Sequence, residues 1–285
     1  MPDTHGGNIF KFSHDHKINL SEVTDFSANI NLLGPSPKGL EALNERLRYI
    51  SHYPDVTNDD VMNTIADVYG IEKDSILLGN GAAELIYAVG RLSGFTGAFV
   101  PAPGFSEYQS SMDAANIPVR EIFYRQRQND DGTPYFEVPY LALQTFAAEL
   151  KGQDGRIIVF LGNPNNPDGT LLDKQSIKVL AQMLKDANSL LVIDESFIDF
   201  IGDESLRDNS HSMRELINQY DNVIIVHSFT KFYAVPGLRI GAVFANPTLI
   251  QELRQYIPAW SVNTLAQAYT ESALTDTKYI NDSKM

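Results

Sequence analysis

The segment His227-Ser-Phe-Thr-Lys-Phe-Tyr-Ala-Val-Pro-Gly-Leu-Arg239-Ile-Gly241 leaves a strand-like run through a hydroxyl-bearing turn to a lysine, with an arginine eight residues further on. A lysine just past a buried strand loses part of its charge by desolvation and can act as an amine nucleophile toward an aldehyde. Ser228, Thr230 and Arg239 are donors suited to a phosphate held beside Lys231. Taken alone, the same pattern also fits a surface lysine. Val192-Ile-Asp194-Glu195 sets an acid at the carboxyl end of another apolar run, where open α/β sheets take up ligands. Asp194 there either caps a loop or pairs with a protonated ring nitrogen. In Leu161-Gly-Asn163-Pro164-Asn165-Asn166-Pro167-Asp168-Gly169, two prolines bracket two amides in a stiff frame, or form an ordinary turn-rich loop. Gly79-Asn80-Gly81-Ala82-Ala83-Glu84 lies between a strand and a helix pattern. Its glycines permit close backbone approach, and the helix N-terminus offers free N–H groups to an anion.

The patterns around these segments supply the elements that must position them. Aliphatic and β-branched runs at Ile76–Leu78, Ala98–Val100, Ile157–Leu161, Leu190–Asp194, Val223–His227 and Ile240–Phe244 read as strands. Several are apolar at every position, as strands covered on both faces of a mostly parallel sheet are. Ala82–Leu92, Ser106–Ala115, Asp173–Asp186 and Ser212–Tyr220 read as helices, with Ser106 and Asp173 as caps. Strand and helix alternating at this spacing predict an α/β domain with helices on both sides of the sheet. Residues 1–37, rich in Asn, Gly, Ser and Pro, read as an arm rather than a core element. Residues 126–139 carry the turn signal Asn129-Asp130-Asp131-Gly132, in a hairpin or loop. Two more helical patterns, Leu249–Tyr256 and Thr264–Leu274, lead into the polar tail DTKYINDSKM.

Composition narrows the chemistry. With 43% hydrophobic and 20% charged residues in 285, the chain has the make-up of a folded domain and not of a disordered one. No apolar run approaches the ~20 residues of a membrane span. The opening MPDTHGGNIF is not a secretory leader, so a cytoplasmic location is expected, with no membrane partner. The absence of cysteine excludes disulfides, zinc–thiolate sites and thiol nucleophiles, and no metal is expected. Twenty-two basic against 36 acidic residues give a net charge of −14, a field that repels nucleic acid as a main partner. A small anion in a locally basic pocket remains compatible with it.

The glycine turn, the Asn165-Asn166-Pro167 loop, Asp194 and Lys231, in this order, resemble the fold-type I pyridoxal-phosphate enzymes of the aminotransferase superfamily. The resemblance runs from about residue 5 to the end of the chain. Within that superfamily, His5-Gly6-Gly7-Asn8, the segment from Asp25 to Asn31, and Pro258-Ala-Trp260-Ser-Val-Asn263 resemble the threonine-phosphate decarboxylase family of cobalamin biosynthesis. The histidinol-phosphate aminotransferases are the nearest relatives. The resemblance implies an α/β fold with a mostly parallel sheet: an arm over residues 1–37, a large pyridoxal-phosphate domain over 38–260, and the start of a small domain over 261–285. It implies roles position by position. Lys231 is the amine to which the cofactor's aldehyde bonds, and Asp194 is the partner of its ring nitrogen. Asn166 bonds the cofactor's 3-oxygen and counts among the substrate contacts, and Phe105 stacks on the ring. Gly81, Ala82 and Ala83, with Ser228 and Arg239, form the phosphate cup. Tyr53 reaches the phosphate of a neighbouring subunit's cofactor, which implies a homodimer with shared sites. His5, Gly6 and Asn29 match substrate-binding positions.

The implied reaction is decarboxylation of O-phospho-L-threonine to (R)-1-amino-2-propanol phosphate. The alternatives are amino-group transfer on histidinol phosphate, and a chain that binds the cofactor without turnover. Phe197, three residues after Asp194, stands where many aminotransferases carry a tyrosine, so Asn166, with the aldimine nitrogen, is expected to serve the 3-oxygen; the decarboxylase pattern shares this departure. Members of the family continue past the position of Met285, through a region whose arginines grip the substrate. The expectation is therefore weak cofactor binding and slow decarboxylation by residues 1–285 alone.

Overall fold

The computed structural model describes residues 6–138, 140–150, 155–202 and 205–284. In chain order the elements begin with α1 (Ile9–His16), α2 (Pro37–Arg46), α3 (Asp59–Tyr69), β1 (Ile76–Gly79), α4 (Gly81–Val89), β2 (Phe95–Ala102) and α5 (Glu107–Ala114). Next come β3 (Val119–Phe123), β4 (Arg125–Gln128), β5 (Pro134–Glu137), α6 (Tyr140–Leu150), β6 (Arg156–Gly162) and α7 (Lys174–Asp186). The last are β7 (Leu190–Asp194), β8 (Val223–Ser228), α8 (Phe229–Phe232), β9 (Gly241–Ala245), α9 (Pro247–Arg254), α10 (Thr264–Ala273) and α11 (Thr277–Lys284).

Seven strands form one sheet in the order β1-β9-β8-β7-β6-β2-β3. β9 is antiparallel to both neighbours, and the other pairings are parallel, so the fold is α/β with a mostly parallel sheet. β7 and β8 are buried at every position because helices cover both faces. α7 shows why those helices form: Ile177, Leu180, Ala181 and Leu184 bury one stripe. Its N-cap Asp173 accepts from the N–H groups of Gln175 and Ser176 at 3.3 and 2.9 Å.

Side chains alternate across the strands, and each face builds its own core. Leu191, Ile193 and Ile225 face Tyr69 and Phe229 on one side. Leu190, Val192, Ile224 and Val226 face Tyr108 and Phe160 on the other.

Three regions differ from expectation, and at a fourth the hairpin is the expected alternative that forms. The arm contains a helix, α1, capped by the Asn8 side chain, although it buries no residue. The predicted helix over 212–220 is only a 3-10 turn, Arg214–Asn218, because the Ser212 hydroxyl and the Met213 N–H both turn to the buried Glu195 carboxylate, at 2.6 and 2.5 Å. Residues 125–137 form the hairpin β4–β5, closed at Asn129 and Gly132; Pro139, the last residue of that predicted segment, lies outside the described residues. The polar tail forms α11, whose Tyr279 and Ile280 are buried.

Chain ends that are remote in sequence close around the turn that carries Lys231. Asn31 donates from Nδ2 to the Phe232 carbonyl at 2.9 Å, and the Asn31 N–H donates to the Lys231 carbonyl at 3.1 Å. The Tyr269 hydroxyl donates to the Tyr233 carbonyl at 2.7 Å. Among the described residues, no helix is long and apolar enough to cross a membrane.

Candidate active site

Strand register assembles one corner of the site. Gly241, the first residue of β9, pairs with Gly79 on one side and Ser228 on the other. A Cβ on Gly241 would fall 2.6 Å from the Ala82 nitrogen, so only glycine lets the first turn of α4 approach the sheet edge. Gly81 has φ +81°, and a Cβ there would run into the Arg239 guanidinium. The first-turn N–H groups of α4, at Ala82 and Ala83, have no acceptor within the helix. With Arg239 and the Ser228 hydroxyl they are the donors that could hold a phosphate at this corner. Ser228 is buried, and its Oγ lies 2.8 Å from Thr230 Oγ1.

Lys231 sits half-buried just beyond β8. Burial lowers its amine below the usual lysine range, and the neighbouring Arg239 charge lowers it further; Asp194 opposes both. More of the amine is therefore neutral near pH 7 than for a solvated lysine, which suits attack on an aldehyde. Asp194 ends β7 with 6% exposure. Its Oδ2 accepts from the Tyr108 hydroxyl at 2.8 Å, and its Oδ1 accepts from the Ser196 N–H at 2.9 Å. Burial, and then the Asp194 charge, hold the Tyr108 phenol far above its ordinary pKa, so it remains a donor. Tyr108 stacks on Phe160 with centroids 5.1 Å apart, and Phe105 meets the Tyr108 ring edge-on at 5.7 Å.

The loop after β6 joins this cluster through its neighbours. Gly162 pairs with Asp194, and the Asn163 N–H donates to the Asp194 carbonyl at 2.8 Å. Asn165 donates from Nδ2 to the Pro103 carbonyl at 3.1 Å, tying the loop to the segment that carries Phe105. Asn166 is half-buried between these anchors. Gly81, Ala82, Ala83, Phe105, Asp194, Ser228, Lys231 and Arg239 thus meet at the carboxyl edge of the sheet, with Asn166 on the loop that Asn165 ties to the segment of Phe105.

The arm residues lie differently. Gly6 and Asn29 are exposed, and the Gly7 N–H donates to Ser27 Oγ at 2.7 Å, which holds the two arm segments together. Asn29 stands two residues before Asn31, whose N–H is fixed to Lys231. Tyr53 is 80% exposed and stacks on Trp260 at 4.7 Å. His5 lies outside the described residues. The contacts of Tyr108, Asn163, Asn165 and Asn31 were not assigned from sequence. Tyr108 alone had a usable signal, its position three residues after Phe105 at the start of a helix.

A weakened lysine charge, a buried carboxylate and a donor cup at the carboxyl edge of a mostly parallel sheet define a site for an aldehyde-bearing, phosphorylated aromatic cofactor. The chain matches the family described as aminotransferase class I and II over residues 21–285, and it belongs to that family, with pyridoxal phosphate as its cofactor. It is 36% identical over 284 residues to the adenosylcobalamin biosynthesis bifunctional protein CobDQ of Leptospira interrogans, covering 98% of this chain and 30% of that protein. It is 32% identical over 281 residues to threonine-phosphate decarboxylase of Salmonella typhimurium, covering 96% of this chain and 71% of that one. Among solved structures it is similar to the histidinol-phosphate aminotransferase from Clostridium acetobutylicum, with a TM-score of 0.78 and 27% identity, covering 92% of this chain and 72% of that one.

Proposed function

We propose that this protein decarboxylates O-phospho-L-threonine to (R)-1-amino-2-propanol phosphate. The observation that carries the reading is the likeness to the Salmonella typhimurium threonine-phosphate decarboxylase across 96% of this chain. Phe197 supports it: the position lacks the hydroxyl donor of many aminotransferases, as the decarboxylase pattern does.

Pyridoxal phosphate, when bound, supplies a carbonyl that captures the substrate amine and a ring that accepts the electron pair freed at Cα. The protein's part is binding, orientation and proton control. The α4 first turn, Ser228 and Arg239 hold the phosphate, and Phe105 packs on the ring. Asp194 keeps a proton on the ring nitrogen, and Tyr108 and the Ser196 N–H fix the carboxylate in place. Asn166 holds the 3-oxygen. Lys231, its charge weakened by burial, would be the amine that bonds the cofactor's aldehyde, and its amine is the group that would hold or deliver a proton beside it. Gly6 and Asn29 of the arm, with His5, bind the substrate's own anionic groups.

The functional unit is a homodimer in which Tyr53 serves the neighbouring site. Its support is the exposure of Tyr53, Phe26, Leu32 and Ile50, at 80, 92, 101 and 66%. Incubation of the cofactor-loaded protein with O-phospho-L-threonine, with product identification by mass, tests the reaction. Release of carbon dioxide with aminopropanol phosphate is the expected result. Glutamate formed from histidinol phosphate and 2-oxoglutarate, with no carbon dioxide from phosphothreonine, assigns the chain to amino-group transfer instead.

A further inference from the structure

Glu84 is a carboxylate in the first turn of the helix whose N–H groups form the cup, where a second negative charge beside a phosphate is unfavourable. Its contacts give the charge a use. Oε2 accepts from the Asn80 N–H at 2.6 Å, immediately before Gly81 and Ala82. The same oxygen accepts from the hydroxyl of Ser261, 177 residues away in sequence. Ser261 follows Trp260, which is held at φ +60°, a left-handed backbone conformation that a bulky side chain adopts only when its surroundings impose it. The ring of Trp260 stacks on Tyr53 with an interplanar angle of 29°. On the other side of Ser261, Asn263 caps α10 and donates to the Leu238 carbonyl at 2.9 Å, next to Arg239.

We infer that Glu84 is a positioning residue that carries the state of the phosphate cup to the Trp260–Tyr53 surface. An anion entering the cup places negative charge beside the Glu84 carboxylate and makes its oxygens stronger acceptors. The Ser261 hydroxyl is the donor that can respond, so the strap tightens and Trp260 becomes more ordered against Tyr53. This rests on the reading of the α4 turn, Ser228 and Arg239 as a phosphate cup.

Trp260 is the only tryptophan in the chain and is 50% exposed, so its emission reports this surface. Inorganic phosphate, which does not absorb tryptophan emission, is titrated into the full chain while calorimetry follows binding independently. The expected result is a saturable change in Trp260 emission with the calorimetric midpoint. Ser261→Ala and Glu84→Ala should lose that change; in Ser261→Ala phosphate binding should stay within about threefold, because the lost bond does not touch the anion. Glu84→Gln keeps an oxygen for both donors without the charge, and should give an emission response smaller than wild type but larger than Glu84→Ala. An unchanged response in Ser261→Ala, or phosphate binding that leaves wild-type emission unmoved, overturns the strap while leaving the cup intact. No calorimetric binding to the wild-type chain overturns the cup, and the strap with it.

Discussion

Asp194 and Glu195 are adjacent carboxylates at the end of one strand, yet they fall on opposite faces of the sheet and into different surroundings. Asp194 shares its face with Ser228, Tyr108 and the cup, and each of its oxygens takes one donor from the protein, leaving lone pairs to spare. Glu195 shares its face with His227, in a closed polar cluster. Its oxygens are taken by the Ser212 hydroxyl, the Met213 N–H and, at 3.4 Å, Asn163 Nδ2. Beside it, the Tyr69 hydroxyl donates to Asp199 Oδ2 at 2.7 Å, and His227 Nε2 lies 3.2 Å from the same oxygen. Burial raises the Glu195 pKa although Arg214, Met213, Ser212 and His227 all pull it down. One face keeps unused acceptor capacity on Asp194; on the other, both Glu195 oxygens are taken by donors of the same cluster. Placement on the strand, more than residue type, separates chemistry from architecture.

The largest test of that contrast is Lys231→Ala. It should abolish turnover and all borohydride-fixed cofactor, since Lys231 is the amine at the cup; mass spectrometry after reduction reads the outcome directly. A cofactor fixed to another lysine would contradict the placement. Asp194→Asn should fold normally, with turnover lowered about a thousandfold, because a neutral amide cannot keep the ring nitrogen protonated. The matching change on the far face, Glu195→Ala, should act on stability instead. It strips the Ser212 and Met213 donors of their acceptor and should cost about 3 kcal/mol in urea unfolding, with bound cofactor retained by the folded fraction.

Tyr108→Phe sharpens the comparison at a single bond. The ring still packs on Phe160, so circular dichroism should be unchanged, while loss of the hydrogen bond to Asp194 should lower turnover about tenfold. A drop in thermal stability with unaltered turnover would move Tyr108 to a packing role. The smallest effect is the pH dependence of stability, where the two faces carry opposite signs. The lowered Lys231 pKa means that the unfolded chain binds the proton more tightly, so its contribution rises with pH between the lowered value and the ordinary lysine value. Glu195 is raised, so the native state holds a proton the unfolded chain has released, and its contribution falls as pH rises from the ordinary glutamate value to the native one. Unfolding free energies across pH for Lys231→Met and Glu195→Gln should lose these two slopes separately.

Strands buried throughout and helices with a clear apolar stripe, such as α7, were legible; a helix with only two buried residues was not. β7 and β8 are buried at every position, and their expected bounds meet the observed ones to within a residue. α11 reads as a polar tail because only Tyr279 and Ile280 are buried; what makes it a helix is the clasp with Asn31 and Phe232, remote in sequence. Tyr108 could be counted three residues on from Phe105, but its bond to Asp194 spans 86 residues. The Glu84–Ser261 contact spans 177, and no local spacing encodes it.

The sequence by itself determined the fold class and the chemistry available at the strand ends, because these follow from local periodicity and from residue types at short spacings; the family was legible only through the resemblance of its ordered motifs to known enzymes. Only the tertiary structure decided which of two neighbouring carboxylates faces the cup, which tyrosine holds it, and how the arm and the last two helices close over the Lys231 turn. Those outcomes depend on the register Gly79–Gly241–Ser228 and on strand alternation, which bring together side chains that share no local pattern.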